Sequence, residues 1–155
     1  MLSVNEERWW KIFIWLLSAI LAPLIIAIYN VIITVNGVSL FPAINNGNIP
    51  TIIGIVTTFS ITMTGFIAAI GAYLLSISRS PAFNEWRNGG YLSIFFNLYS
   101  AAIIFLLVTF GFCIVMLLSQ STMLWLKVIL SLVVVNLLHI TSITYIVVSQ
   151  AKNNN

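Results

Sequence analysis

Acidic residues are almost missing from this chain, which has no aspartate and only three glutamates, Glu6, Glu7 and Glu85. It also has a single cysteine, Cys113, and a single histidine, His139. Metal sites are built from clusters of His, Cys, Asp and Glu, and acid–base or nucleophilic catalysis needs a positioned carboxylate pair or a nucleophile with an oriented base. We therefore expect no enzymatic activity, no metal and no cofactor, and one cysteine cannot form an intrachain disulfide.

Charge of either sign is scarce, with six Lys or Arg and three Glu in 155 residues, whereas 61% of the residues are hydrophobic. An ordinary soluble domain carries charge on about a quarter of its residues. The chain has no glycine-rich loop ending in Gly-Lys to hold phosphates, and no basic run suited to nucleic acid. The composition predicts a membrane-embedded protein that does not bind nucleic acid directly.

Four apolar stretches are long enough to cross a bilayer as helices, which takes roughly 20 residues each. They cover about 12–35, 51–76, 91–119 and 124–149, and they leave a polar head at 1–11, a loop at 77–90 and a tail at 150–155. This pattern predicts an all-α polytopic membrane protein with one domain, in which four transmembrane helices form two hairpins. We expect it to contact lipid and to associate with itself as an oligomeric bundle.

The central loop is the only internal place where charge, proline and paired glycines gather, in the sequence SRSPAFNEWRNGG at 78–90. Ser80 followed by Pro81 is typical of a helix start, and the glycine pair of a helix end. We expect a short helix whose aromatic side chains either rest at the level of the lipid headgroups or anchor a soluble partner. The docking hypothesis involves two arginines and two aromatic residues of this loop, namely Arg79, Phe83, Trp86 and Arg87.

Lysine and arginine are unevenly divided between the two ends of the predicted bundle. Lys127 alone lies at the start of the fourth span, and the loop between the first two spans, at 36–50, is uncharged. The head, central loop and tail hold the other five, Arg8, Lys11, Arg79, Arg87 and Lys152. Positive charge accumulates on the cytoplasmic side of membrane proteins. We therefore expect an inner-membrane, multi-pass protein with both termini in the cytoplasm.

Small side chains recur every four residues along the second span, at Ser60, Thr64, Ala68 and Ala72. In lipid, small residues let helices approach closely, so these four residues predict a helix-packing or oligomer seam. The alternative is a pore lined by the hydroxyl groups of this span.

The fourth span carries two strongly polar residues at membrane depth, Asn136 and His139, three residues apart and hence on neighbouring parts of one helix face. Polar groups in a membrane are costly, and they mark either interhelical hydrogen bonds or a pathway. Asn97 and Ser100 of the third span are candidate partners for such hydrogen bonds. The alternative is a proton- or ion-sensitive gate based on His139.

Three classes of function fit these features. The first is a non-enzymatic scaffold or sensor that oligomerises and presents its central loop to a soluble cytoplasmic effector. The second is an oligomeric pore or holin-like channel, although neither polar face has the ring of charges found in ion filters. The third is a small transporter, for which Pro23 in the first span is the only sign of an interrupted helix.

The four-span layout, with its short uncharged first loop and the sequence GAYLLSISRSPAFNEWRNGGY at 71–91, resembles the KwaA family, the membrane subunits of the bacterial Kiwa anti-phage systems. The resemblance implies an oligomeric inner-membrane component that detects infection-linked disturbance of the envelope. It also implies a soluble partner similar to KwaB, which binds nucleic acid.

Overall fold

The computed structural model describes residues 3–36, 46–118 and 122–153. Within these ranges the chain forms α-helices and one short 3-10 helix, Asn46–Asn48, and it contains no strand. The helices are α1 (Val4–Asn36), α2 (Ile49–Ser76), α3 (Pro81–Asn88), α4 (Tyr91–Leu118) and α5 (Thr122–Asn153). The predicted all-α architecture is confirmed. Most of the uncharged first loop, at 37–45, and the turn at 119–121 lie outside the described residues.

Four of the helices, α1, α2, α4 and α5, are long and apolar enough to cross a membrane, and each corresponds to one predicted span. Helices α2 and α4 have 28 residues each. A helix of that length extends about 42 Å, which exceeds the roughly 30 Å of a bilayer's hydrocarbon core. The chain is therefore a multi-pass membrane protein.

Helix α1 begins well before the apolar stretch predicted from the sequence, because its first turn is capped. The backbone N–H of Ser3 donates to the Glu6 carboxylate over 2.8 Å, and the N–H of Glu6 donates to the Ser3 hydroxyl over 3.3 Å. This reciprocal pair is a capping box. One turn later, Lys11 forms an ion pair with Glu7 over 2.6 Å. The polar head is thus the first part of α1 and not a separate segment.

Helix α4 is the centre of the bundle, since α1, α2, α3 and α5 all pack against it. Helix α1 contacts both α4 and α5, whereas α2 packs mainly on α4. Across the described ranges α1 and α2 make no close backbone contact with each other. The first two spans are therefore neighbours in sequence without being packing partners, and α4 with α5 forms the packed second hairpin.

One end of the bundle, called the basic end here, carries Arg8, Lys11, Arg79 and Arg87. Three contacts join the helices at this end. The Lys11 carbonyl of α1 accepts a hydrogen bond from Asn97 of α4, and Trp86 of α3 packs on Phe95 of α4. Tyr145 of α5 lines a cleft together with Trp86. At the opposite end, Lys127 donates to Asn30 over 3.2 Å and lies 5.1 Å from the centre of the Tyr29 ring. The helices thus alternate in direction.

The interior has two apolar clusters separated along the bundle axis. The cluster at the basic end includes Phe83, Trp86, Phe95 and Leu106, and the cluster at the opposite end includes Ile53, Val56, Cys113, Met116 and Ile129. On α4, Thr109 lies between Leu106 of the first cluster and Cys113 of the second. The buried polar groups described below therefore form a layer between two apolar cores.

The outer surface of the bundle is apolar, as expected for contact with lipid. Large side chains of α1 are exposed along much of its length, including Leu17, Ile20, Leu24 and Ile28. Only a small part of α1 is buried, whereas α5 is buried over almost half of its span. Helix α1 is thus the peripheral span, the one most exposed to lipid, and it packs against both α4 and α5.

Candidate functional site

Helix α3 forms as the loop sequence predicts. Ser80 is its N-cap, and the Ser80 hydroxyl accepts a hydrogen bond from the N–H of Phe83 over 3.1 Å. Pro81 occupies the first turn, where no amide hydrogen is needed. After the helix, Gly90 has a φ of 83°, a conformation that glycine adopts at little cost. This turn directs the chain straight into α4.

The two aromatic residues of α3 are buried, so their rings are not available to anchor a partner as the docking hypothesis expected. Phe83 and Trp86 are each 8% exposed. Their rings meet edge to face with centroids 6.2 Å apart, and Trp86 lies 5.2 Å from the ring of Phe95. Residues three apart share one side of a helix, and here that side faces α4. Both rings therefore anchor α3 to the bundle.

The charged residues of the central loop are exposed, by contrast. Arg79 precedes α3, Arg87 is in its last turn, and Glu85 lies between them. Because α3 is held by two buried rings, these charges are presented on a helix with a fixed position. We call Arg79, Glu85 and Arg87, together with the helix that carries them, the α3 platform. The docking hypothesis stays a prediction, and of its four residues only the two arginines are available to a partner.

The polar pair of the fourth span is buried at the middle of the bundle. Asn136 is 0% exposed and His139 is 7% exposed. The side-chain amide of Asn136 donates to the Thr109 hydroxyl over 2.7 Å. The Nε2 atom of His139 lies 2.7 Å from the Ser18 hydroxyl. The pair on α5 is thereby connected to α4 on one side and to α1 on the other.

The partners expected for this pair, Asn97 and Ser100, are wrong. Asn97 lies near the basic end, where it bonds to α1 instead, and Ser100 is exposed. The actual partners, Ser18 and Thr109, are isolated hydroxyl groups in apolar runs, and each is almost completely buried. Such isolation is a signal for an inward-facing position. Residue spacing within one helix cannot show which residue of another helix it meets, so the partners could not be identified from the sequence.

The small residues of α2 do not stay on one face of the bundle. Ser60 is 1% exposed and packs inside the protein, Thr64 is half-buried, and Ala68 and Ala72 are exposed. Residues four apart on a helix differ by about 40° in direction, so the stripe drifts from the interior to the surface. Ser60 is thus a packing residue of the monomer, and the oligomer seam stays a prediction for Ala68 and Ala72.

The hydroxyl groups of α2 are engaged with their own helix. Those of Thr58, Ser60 and Thr64 donate to the carbonyl four residues earlier, over 2.8 to 3.0 Å. Ser and Thr hydroxyl groups in membrane helices commonly form this hydrogen bond to the backbone. Their only hydroxyl hydrogen is thereby used, so these groups are not donors toward a lumen.

No group of three His, Cys, Asp or Glu side chains comes together in the part of the chain that the structure describes. No family model, curated protein or solved structure matches this chain. The fold and its sites therefore define a class: an all-α, multi-pass membrane protein with a buried polar layer and exposed arginines on an anchored helix.

Proposed function

We propose that this protein is a non-enzymatic scaffold or sensor of a bacterial inner membrane, which assembles with itself and presents its basic end to a soluble cytoplasmic effector. The observation that carries the proposal is the α3 platform. Phe83 and Trp86 hold α3 against α4, while Arg79 and Arg87 point to solvent. The helix anchored in this way carries Arg87 and begins just after Arg79, so the backbone at both arginines has a fixed position. A fixed backbone lowers the conformational entropy that is lost when a partner docks.

The orientation follows from the distribution of positive charge. Five of the six Lys and Arg residues belong to the head, central loop and tail, and the head and loop lie together at the basic end. The positive-inside rule puts such an end in the cytoplasm. The α3 platform would then face the cytosol, and both termini would lie beside it.

Self-assembly is supported by the outward part of α2. Ala68 and Ala72 are exposed, and a Cβ atom added at Gly54 or Gly65 would meet nothing within 4 Å. Close approach at small residues gives van der Waals packing and is a main source of helix association in lipid. A second copy of α2 packing on this surface would place several α3 platforms on one side of the membrane.

The resemblance to the KwaA family extends the proposal to anti-phage defence. On that basis the effector would be a soluble, nucleic-acid-binding protein similar to KwaB, and this chain would not touch nucleic acid itself. The pore and transporter alternatives receive less support, because the hydroxyl groups of Ser60 and Thr64 are bonded to their own backbone and Asn136 is completely enclosed.

The test is affinity purification of the tagged protein from native membranes in mild detergent, with mass determination of the intact particle and of any soluble protein bound to it. The decisive variant is Arg79→Ala with Arg87→Ala, and the control is Arg8→Ala, which removes an exposed arginine of α1 at the same end. We expect a stoichiometric soluble partner with wild type and with the control, and a loss of at least tenfold with the double variant. A homo-oligomer with no partner, or equal recovery with the double variant, would refute the proposal.

A further inference from the structure

Two buried polar atoms at the middle of the bundle have no hydrogen-bond partner within the described residues. They are Oδ1 of Asn136 and Nδ1 of His139. Each belongs to a side chain that is more than nine-tenths buried. An unpaired polar atom in such a place is destabilising, so two in the same layer need a structural explanation.

One neutral arrangement of this layer satisfies Ser18 fully. The Ser18 hydroxyl lies 2.7 Å from both the Ile14 carbonyl and Nε2 of His139, and it donates its one hydrogen to the carbonyl while accepting from Nε2–H. In this tautomer Nδ1 of His139 is a hydrogen-bond acceptor. The bonds thus run from His139 to Ser18 of α1, and from Ser18 to the Ile14 carbonyl of the same helix.

Asn136 starts a second chain of hydrogen bonds, in which it is again the first donor. Its amide Nδ2 donates to Thr109, and the Thr109 hydroxyl in turn donates to the Phe105 carbonyl over 2.7 Å. The bonds thus run from Asn136 to Thr109 of α4, and from Thr109 to the Phe105 carbonyl of the same helix. The other polar atom of the same amide, Oδ1, is an acceptor and has no partner within the described residues.

The two unpaired acceptors belong to neighbouring side chains of one buried layer. Asn136 and His139 are three residues apart on α5. Asn136 reaches Thr109, and the His139 ring lies 5.5 Å from the ring of Phe105, one turn before Thr109. Two acceptors cannot bond to each other, but a molecule with two hydrogens to donate satisfies both.

We propose that Asn136 Oδ1 and His139 Nδ1 together bind one internal water molecule, which donates one hydrogen to each. The water completes a continuous path from the Ile14 carbonyl of α1, through α5, to the Phe105 carbonyl of α4. Buried waters in proteins commonly bridge polar groups that would otherwise be unpaired. Three transmembrane helices are then joined by one hydrogen-bonded layer between two apolar cores.

Two other arrangements would put a hydrogen on Nδ1 of His139, from which it could donate toward Asn136. In a neutral ring, the Ser18 hydroxyl would then donate to Nε2 and give up its hydrogen bond to the Ile14 carbonyl. The other arrangement is a protonated His139. That would place a positive charge deep in the membrane, which is costly without a partner. Helices α2 and α4 contain no charged residue. The nearest charges on the other helices are Lys11, seven residues before Ser18, and Lys127 and Lys152, each at least twelve residues from His139. Since no carboxylate faces this layer, the neutral ring with a water is favoured.

Because His139 is the only histidine, one selectively labelled residue reports on the site without ambiguity. We would incorporate ¹⁵N-histidine into the full chain in lipid bilayers and record water-edited solid-state NMR spectra. The expected result is a ring protonated on Nε2 and bare on Nδ1, with rapid magnetisation transfer from water. Asn136→Leu removes one of the two acceptors and should slow the transfer several-fold. Ser142→Ala changes an exposed residue one turn later on α5 and should leave the transfer unchanged.

The wild-type spectrum decides the main question even if Asn136→Leu does not fold. A ring protonated on Nδ1, whether neutral or as an imidazolium, would place a donor where the proposal needs an acceptor and would overturn the proposal. So would a neutral ring that receives no magnetisation from water, or a transfer rate that is the same in folded Asn136→Leu as in wild type.

Discussion

The indole N–H of Trp15 on α1 donates to Oδ1 of Asn97 on α4 over 3.2 Å. The amide Nδ2 of the same asparagine donates to the Lys11 carbonyl over 3.3 Å. One side chain of the central helix thus holds the peripheral helix at two points, one turn apart. These two bonds add to the packing of α1 on α4 and α5 and fix α1 near the basic end.

Replacing Asn97 with Leu should therefore weaken the docking of α1. Hydrogen bonds between membrane helices contribute about 0.6 kcal/mol each on average, so the loss should be about 1 kcal/mol in the free energy of unfolding. The measurement is a denaturant titration in detergent micelles, together with proteolysis of the α1 start. Ser100→Ala is the control, because Ser100 is exposed on the same helix. Equal stability of Asn97→Leu and the control would show that the two bonds do not hold α1.

Gly71 should be the glycine of α2 that least tolerates a side chain. A Cβ atom added there would lie 2.6 Å from the Tyr99 hydroxyl and 3.3 Å from the ring carbon that bears it. The stiff ring of Tyr99 would have to move, which loosens the contact between α2 and α4. We expect Gly71→Ala to lower the free energy of unfolding by about 1–3 kcal/mol.

Gly54→Ala is the matched control for this prediction, because a Cβ atom added at Gly54 meets nothing within 4 Å. Alanine favours helix over glycine by up to about 1 kcal/mol, so Gly54→Ala should be neutral or slightly stabilising. Both variants are compared with wild type by thermal unfolding in the same detergent. If Gly71→Ala is as stable as Gly54→Ala, the close approach of Tyr99 is not a constraint.

The long helices and α3 could be predicted from the sequence because their signals are local. Apolar runs, the Ser80-Pro81 start and the glycine pair act within a few residues, and α3 forms between them. Helix ends were less predictable. The first span was predicted to start at about 12, whereas α1 starts at Val4, because the capping box at Ser3 and Glu6 extends the helix beyond the apolar run.

Contacts between helices could not be predicted from the sequence. The i, i+3 spacing correctly placed Phe83 and Trp86 on one side of α3, but only the position of α4 shows that this side is buried. The same limit applies to Asn136, whose partner Thr109 is 27 residues away. Periodicity defines which residues share a face, whereas the identity of the facing helix depends on how the whole bundle packs.

The burial of Trp86 leads to a prediction that separates folding from docking. Trp86→Ala removes a ring packed on Phe95 and should reduce stability by about 3 kcal/mol or more. Arg87→Ala, one residue further, changes an exposed side chain and should shift stability by less than about 0.5 kcal/mol. The measurement is the unfolding midpoint of each purified variant, compared with that of wild type. A stable Trp86→Ala protein would mean that the ring does not anchor α3, and partner loss in that variant could then be attributed to docking.

The small residues of α2 turn from the interior at Ser60 to the surface at Ala72. A leucine should therefore reduce monomer stability at Ser60 and self-assembly at Ala72. Ser60→Leu inserts a large side chain into the interior, where Ser60 is 1% exposed, and should lower the stability of the monomer by about 1–3 kcal/mol. Ala72→Leu changes an exposed position and should leave the monomer fold intact while keeping a second α2 from approaching closely. Crosslinking in native membranes and intact-particle mass measure assembly, and unfolding in detergent measures the fold. Normal assembly of Ala72→Leu would exclude the outer half of the stripe as the seam, because a leucine there cannot fit between two closely packed helices.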